Sequence, residues 1–357
     1  MYKFIRPLLF SLDPETAHHG VRVIGTIASL PLFSNLLQPI FQYNHPSLET
    51  NVAGISFSSP IGLAAGFDKN AEMLKLMELL GFGFLEIGSV TAKQTIGNPK
   101  PRLFRLVEDQ ALINRMGLCN DGVDVIGKRM RKNRVSIPIG INIAKTNDLS
   151  IAGMNAIEDY LYSLDKIQDC AEYVTLNISC PNTPDGKTFE APEGLNELLY
   201  GIRKRIHNNK RFFLKLSADL SFDEIGKIIE VGKKYAISGY VLCNTSLERK
   251  NLRAQPYRIQ EIGRGGLSGA PIRTNILEII RFVYKNFDTP DIIGVGGIFS
   301  AEDAYATIKA GASLVQIYTS LVYEGPYVVR NIKKGLVELM HRDGFTKISQ
   351  VVGCEAT

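Results

Sequence analysis

The chain has 357 residues, 45% hydrophobic and 22% charged, with 32 glycines and 16 prolines. That profile excludes a fibrous or disordered protein and suits one large domain plus an appendage, a size at which (β/α)8 barrels form a single unit. The charge, 41 Lys+Arg against 36 Asp+Glu, is too even to argue for nucleic acid.

Cys119, Cys170, Cys180, Cys243 and Cys354 are widely spaced with no CxxC pair, a pattern for reduced thiols in a cytosolic setting rather than disulfides or zinc. His18, His19, His45, His207 and His341 are scattered without HExxH, so no metal site is expected. The start lacks the apolar core and small-residue cleavage site of a signal peptide.

The first 43 residues carry only Lys3, Arg6, Asp13, Glu15 and Arg22 as charges. Asp13-Pro14 reads as a helix N-cap with proline in the first turn, after which Ala17, Val21, Ile24 and Ala28 share one face. Apolar character continues from Leu30 to Phe41, interrupted by Pro31, Ser34, Asn35, Gln38 and Pro39. No stretch nears the roughly 18 unbroken apolar residues of a membrane span. Two readings stay open: an amphipathic surface segment, or a helical hairpin packed on its own domain or on a partner.

From about residue 55, eight apolar runs alternate with helical stretches. The runs are Ile61–Ala65, Phe84–Val90, Ile139–Ala144, Tyr173–Ser179, Phe212–Leu216, Gly239–Cys243, Ile292–Val295 and Leu314–Tyr318. Helical spacing falls at 70–80, 194–207, 222–234, 273–286 and 300–310. This is the βαβ rhythm of a parallel sheet, and eight repeats predict a closed TIM barrel. A Rossmann fingerprint fails, because Glu86 and Phe299 stand at the third glycine positions.

Barrel chemistry sits at strand ends, and here these are polar. The first run leads into Gly66-Phe67-Asp68-Lys69-Asn70, the third contains Asn142, and the fourth continues Asn177-Ile178-Ser179-Cys180-Pro181-Asn182. The fifth carries Lys215, and Asn244-Thr245 follow the sixth. Clustered amides suit a flat ring with alternating C=O and N–H edges, although single asparagines also form turns. Three glycine clusters, Gly294–Gly297, Gly311 and the flexible loop Gly265–Gly269, point to a phosphorylated cofactor. Lys215 suits either a Schiff-base nucleophile or a fixed cation beside a reduced flavin. Cys180 suits either an inert buried thiol or a general base.

Longer motifs then carry a resemblance. Ala64–Lys69, Glu86–Thr91, Lys100–Leu106, Asn114–Gly117, Gly140–Ile143, Asn177–Pro184, Gly266–Gly269, Gly294–Ile298 and Gly311–Tyr318 resemble the dihydroorotate dehydrogenases along nearly the whole chain. Leu12-Asp13-Pro14-Glu15 with His18 is similar to the extension of class 2, the membrane-associated, quinone-reducing branch.

The resemblance implies one FMN, held by Ala65, Gly66, Phe67, Asp68, Lys69, Ser89, Asn142, Asn177, Lys215, Cys243, Gly269, Gly297, Tyr318 and Thr319. Dihydroorotate or orotate would meet Lys69, Asn114, Arg115, Met116, Gly117, Leu118, Asn177, Asn182, Asn244 and Thr245. Cys180 would be the catalytic base and Lys215 the stabilising cation. His18, Arg105 and Tyr318 would line a quinone tunnel. It further implies a monomer, peripheral on the cytoplasmic face of a bacterial inner membrane, with residues 1–45 as quinone entrance, 46–340 as barrel and 341–357 as a tail without assigned role.

Four positions depart from class 2. Cys180 replaces serine and is the residue type of soluble class 1 relatives, Leu118 and Cys119 replace phenylalanine and asparagine, and Cys243 takes a threonine position. The proton route past Thr183 is affected by the second change. Basic runs at 128–134 and 203–211 read as solvated helix faces. A soluble electron acceptor, a lysine-dependent aldolase and a non-catalytic membrane-surface module are the competing readings.

Overall fold

The computed structural model describes residues 2–179, 189–207, 210–288 and 291–356. Helices α1 (Tyr2–Ser11), α2 (Pro14–Ala28) and α3 (Pro31–Phe41) open the chain, followed by the hairpin β1 (Thr50–Val52) and β2 (Ile55–Phe57). Then come β3 (Ile61–Leu63), α4 (Leu74–Leu79), β4 (Phe84–Val90) and a second hairpin, β5 (Leu103–Leu106) and β6 (Ala111–Asn114). The alternation resumes with α5 (Val123–Lys132), β7 (Ile139–Ile143), α6 (Met154–Ile167), β8 (Tyr173–Asn177), α7 (Pro192–Arg205) and β9 (Arg211–Leu216). It continues through α8 (Phe222–Lys234), β10 (Gly239–Leu242), α9 (Pro256–Ile262), β11 (Gly266–Gly269), α10 (Arg273–Asn286) and β12 (Asp291–Val295). The last elements are α11 (Ala301–Lys309), β13 (Leu314–Ile317), α12 (Thr319–Glu324) and α13 (Val328–Arg342).

Strands β3, β4, β7, β8, β9, β10, β12 and β13 close into a parallel barrel, the predicted (β/α)8 fold. Alternate residues point inward, so the barrel fills in layers. Its floor is apolar: Phe84, Tyr173, Phe213, Val241, Ile293 and Leu314 pack on Val52 and Phe57 of the first hairpin. Two glycines make room for the large rings. A Cβ on Gly62 would lie 2.2 Å from the Phe84 ring, and one on Gly140 would lie 2.0 Å from that of Tyr173. Two residues further along the strands, the layer turns polar, with Glu86, Asn142, Thr175, Lys215 and Gln316 all buried.

Two local expectations need correction. The glycine-rich segment Gly265–Gly269 is not a flexible loop, because Gly266–Gly269 forms β11 and pairs antiparallel with β6 from Gly266↔Asn114 to Gly269↔Ala111. A Cβ on Gly266 would meet the Thr245 hydroxyl at 2.0 Å, so glycine here allows close approach within a strand. The helix expected from residue 70 starts only at Leu74. The buried Asp68 carboxylate accepts from the Glu72 and Met73 amides at 2.9 and 2.8 Å and holds the preceding segment in a tight loop.

In α2 the expected start is present, with the Asp13 carboxylate accepting from the Thr16 amide at 2.9 Å. The extension is tied down by polar contacts. Arg102 grips the Glu15 carboxylate through Nε and NH2, both at 3.0 Å. Arg22 pairs with Glu72, Arg105 donates to Leu12 O at 2.8 Å, and Arg330 donates to Ile40 O at 2.6 Å. At the other end of the chain, the Gly353 and Glu355 amides donate to Ile308 O and Lys309 O, both at 3.1 Å, with Ile348 and Val351 buried.

Candidate active site

A cleft opens where the barrel strands end. Its walls come from Ala65 and Gly66 after β3, Ser89 of β4, Asn177 of β8, Lys215 of β9 and Cys243–Thr245 after β10. Gly296 and Gly297 after β12 and Tyr318–Ser320 after β13 complete the rim, and Leu103, Leu112, Asn114 and Met116–Leu118 form an overhanging wall from the β5–β6 hairpin.

The amides form one connected ladder. Asn142 Nδ2 donates to Glu86 Oε1 at 2.9 Å, Ser89 Oγ donates to Asn142 Oδ1 at 2.5 Å, and Asn177 Nδ2 donates to Ser89 Oγ at 2.9 Å. Asn177 Oδ1 in turn accepts from Ser179 Oγ at 3.2 Å and from Asn244 Nδ2 at 3.4 Å. Lys215 lies beside this ladder with 5% of its surface exposed. Burial pushes its pKa down, opposed by the charge of Glu86. Burial pushes the Cys243 thiol far up, which keeps it protonated.

The residues fit the expected FMN. A phosphate needs donors in a cradle free of side chains. Gly296 and Gly297 adopt φ of +130° and +68°, and a Cβ on Gly297 would strike Arg273 at 2.4 Å. Ser268 Oγ and Thr319 Oγ1 are hydrogen-bonded at 2.9 Å, while the buried Ser320 Oγ has no partner and suits an acceptor from the ligand. The buried Lys215 cation faces the same cleft.

Other predicted residues take different places. Lys69 Nζ donates to Gly66 O at 2.6 Å and lines the cleft, whereas Asp68 serves the loop described above. Asn114 lines the cleft and donates to Gly266 O at 3.3 Å. The Arg115 side chain turns away: it donates to Ile262 O and Pro101 O and lies 4.6 Å from the Phe104 ring centroid. Gly117 and Leu118 both have positive φ, and Leu118 O accepts from Asn120 Nδ2 at 2.7 Å. Thr245 donates its amide to Asn244 Oδ1 at 2.9 Å. Gly269 has φ of +104° and borders the cleft. Cys180 and Asn182 lie outside the described residues, as does Thr183.

Two of the three expected tunnel residues are joined through Phe67. His18 meets Phe67 edge-on at 5.0 Å, and Phe67 meets Tyr318 edge-on at 5.3 Å, a line of rings from α2 to the barrel mouth. Burial, Lys69 and Arg22 lower the His18 pKa to about 4, so its imidazole is neutral at pH 7. Arg105 instead stacks on Phe10 at 4.7 Å beside the α1–α2 junction. Sequence reasoning missed Ser268, Ser320 and the structural part played by Glu86. The last stands inside a quoted motif, and its signal was a lone carboxylate within an apolar strand.

Comparison with known proteins agrees with this geometry. The family model described as dihydroorotate dehydrogenase matches residues 47–340. A dihydroorotate dehydrogenase (quinone) of Gloeobacter violaceus is 42% identical, covering 99% of both chains, and one of Roseiflexus castenholzii is 40% identical over 100% of this chain and 97% of its own. The crystal structure of DHODH from Eimeria tenella in complex with ferulenol superposes with a TM-score of 0.87 at 31% identity, covering 96% of each chain. The chain therefore belongs to the dihydroorotate dehydrogenase family.

Proposed function

We propose that the protein oxidises (S)-dihydroorotate to orotate in pyrimidine biosynthesis, with FMN as its cofactor and a quinone as electron acceptor. The observation that carries this reading is the meeting, at one barrel mouth, of a buried lysine, an ordered amide ladder and the unpartnered Ser320 hydroxyl. Bound FMN supplies the hydride acceptor and hands the electron pair on to the quinone.

The chain's own groups do the rest. Asn114, Asn177, Asn182 and Asn244 hold the substrate ring by its amide edges. Cys180 takes the C5 proton as C6 loses hydride, leaving the C5=C6 double bond of orotate. A thiol has a reference pKa of about 8.5, so it deprotonates more easily than serine. Lys215 holds positive charge where the reduced ring gains negative charge. The hairpin wall over the cleft keeps water from the reacting atoms.

Residues 1–45 form the quinone entrance and lie on the membrane at its cytoplasmic face, residues 46–340 are the catalytic barrel, and the protein works as a monomer. Support comes from the apolar surface of α1–α3, where Phe4 and Leu32 are 88% and 80% exposed. Among the described residues no single helix is long and apolar enough to cross a membrane.

Anaerobic stopped-flow spectroscopy tests the reading. A yellow protein should bleach with dihydroorotate and regain colour with a quinone faster than with fumarate or NAD. A colourless protein that FMN cannot reconstitute refutes it. Cys180→Ala should slow bleaching about 10²–10⁴-fold while FMN stays bound; near-normal bleaching removes Cys180 from the mechanism.

A further inference from the structure

We infer that Glu86 is a positioning residue of this site: its carboxylate sets the direction of the amide ladder from below and provides the negative charge that Lys215 faces. The inference rests on the flavin reading above.

Glu86 is fully buried on β4, in the polar layer directly above the aromatic floor. Three donors converge on it: Asn142 Nδ2 at 2.9 Å, Gln316 Nε2 at 2.8 Å and Tyr173 OH at 3.4 Å. A carboxylate accepts only, so it fixes which end of the Asn142 amide points down. Asn142 Oδ1 must then point up and take the Ser89 hydroxyl proton. Ser89 is left to accept from Asn177 Nδ2, which turns Asn177 Oδ1 toward Ser179 and Asn244 at the substrate end of the cleft. Every link runs in one sense. A neutral amide at position 86 would present N–H to one of these donors and reverse or break the ladder.

Lys215 shares the buried polar layer with this carboxylate, and Asn177, a rung of the ladder, stands opposite it in the β8–β9 register. Among the described residues, the titratable groups that act on this ammonium are Glu86 from β4 and Cys243 after β10, with Lys69 on the same cleft; Cys243 is a buried neutral thiol that itself feels Asp219 and Glu190. Tyr173 faces Glu86 from below, and burial, the nearby carboxylate and their hydrogen bond hold its phenol protonated. The remaining partners in this layer, Asn142, Thr175 and Gln316, carry no charge. Without the carboxylate, the buried ammonium would lose an opposite charge that favours its protonated form and would give up its proton at lower pH.

The test compares wild type, Glu86→Gln and Glu86→Asp as holoenzymes, by the midpoint potential of bound FMN and the pH profile of anaerobic bleaching. At pH values where the variant's Lys215 has lost its proton and the wild type's has not, Glu86→Gln should stay yellow but favour the reduced flavin at least tenfold less, about 30 mV for a two-electron couple. Its bleaching rate should fall away at high pH about one unit earlier than in wild type. Glu86→Asp keeps the charge and should retain most of the potential. A Gln variant with wild-type potential and pH profile, altered only in melting temperature, overturns the inference. If the Gln variant comes out colourless, the Asp variant decides: a wild-type pH profile supports the role, and a profile displaced as far as that of Lys215→Met refutes it. A wild-type protein without flavin overturns the functional reading and this inference together. A wild type that bleaches beside an unaffected Gln variant overturns the inference alone.

Discussion

The barrel and the N-terminal extension are built differently. The barrel is held by apolar layers, with Phe84 and Tyr173 filling space that Gly62 and Gly140 leave open. The extension adds ion pairs and backbone hydrogen bonds to a few ring contacts, Phe10 on Tyr323, His18 on Phe67 and Phe41 on Tyr327, and α1 has no buried residue at all. Using polar clasps on one face leaves the apolar side chains of α1–α3 free for another surface. Attachment and the proposed membrane affinity thus draw on different residues, and each can be removed separately.

The sharpest break should come from the barrel floor. Phe84→Ala leaves a void facing Gly62 and should cost about 3–5 kcal/mol in urea unfolding, with loss of bound flavin. Next comes the ring line between the two regions. Unfolded His18 takes up a proton near its ordinary 6.5, but folded His18 does so only near 4. Stability should therefore rise with pH across that window by roughly 3 kcal/mol, and His18→Gln should remove that part of the slope. Arg102→Ala releases the Glu15 clasp and should cost about 2 kcal/mol while sparing dihydroorotate-driven bleaching and slowing quinone-driven recovery. Least costly to the fold is a charge on the free face. Leu8→Asp with Leu36→Asp should alter stability by no more than about 0.5 kcal/mol, yet abolish co-sedimentation with anionic vesicles.

The contrast also explains which features could be read from the residues. The eight barrel strands stand out because continuous apolar runs are what a strand buried on both faces requires. Asp13-Pro14 announced α2 because capping is local chemistry. The sheet β11-β6-β5 stayed hidden: its strands are four residues long, and the glycine-rich β11 pairs with β6 only after more than a hundred intervening residues. The helix at Leu74 starts late because a distant-looking carboxylate, Asp68, claims two amides first. Arg115 stands in a motif beside Asn114, but neighbours in sequence point to opposite sides, and its guanidinium serves backbone carbonyls instead of the cleft. Glu86 is visible as an oddity in an apolar run, whereas the donors that converge on it come from three other strands and needed the closed barrel to meet.

The tail after α13 gains a meaning from its contacts with α11. Gly353 sits against the Tyr284 ring of α10, and a Cβ there would approach it to 2.1 Å; Lys309, at the end of α11, pairs with both Glu355 and Asp343. The tail therefore works as a belt that fastens two neighbouring outer helices at the barrel floor. Local opening of α10 and α11 is coupled to release of the belt, so their amide protons should exchange together, as one cooperative unit, and independently of anything bound at the mouth.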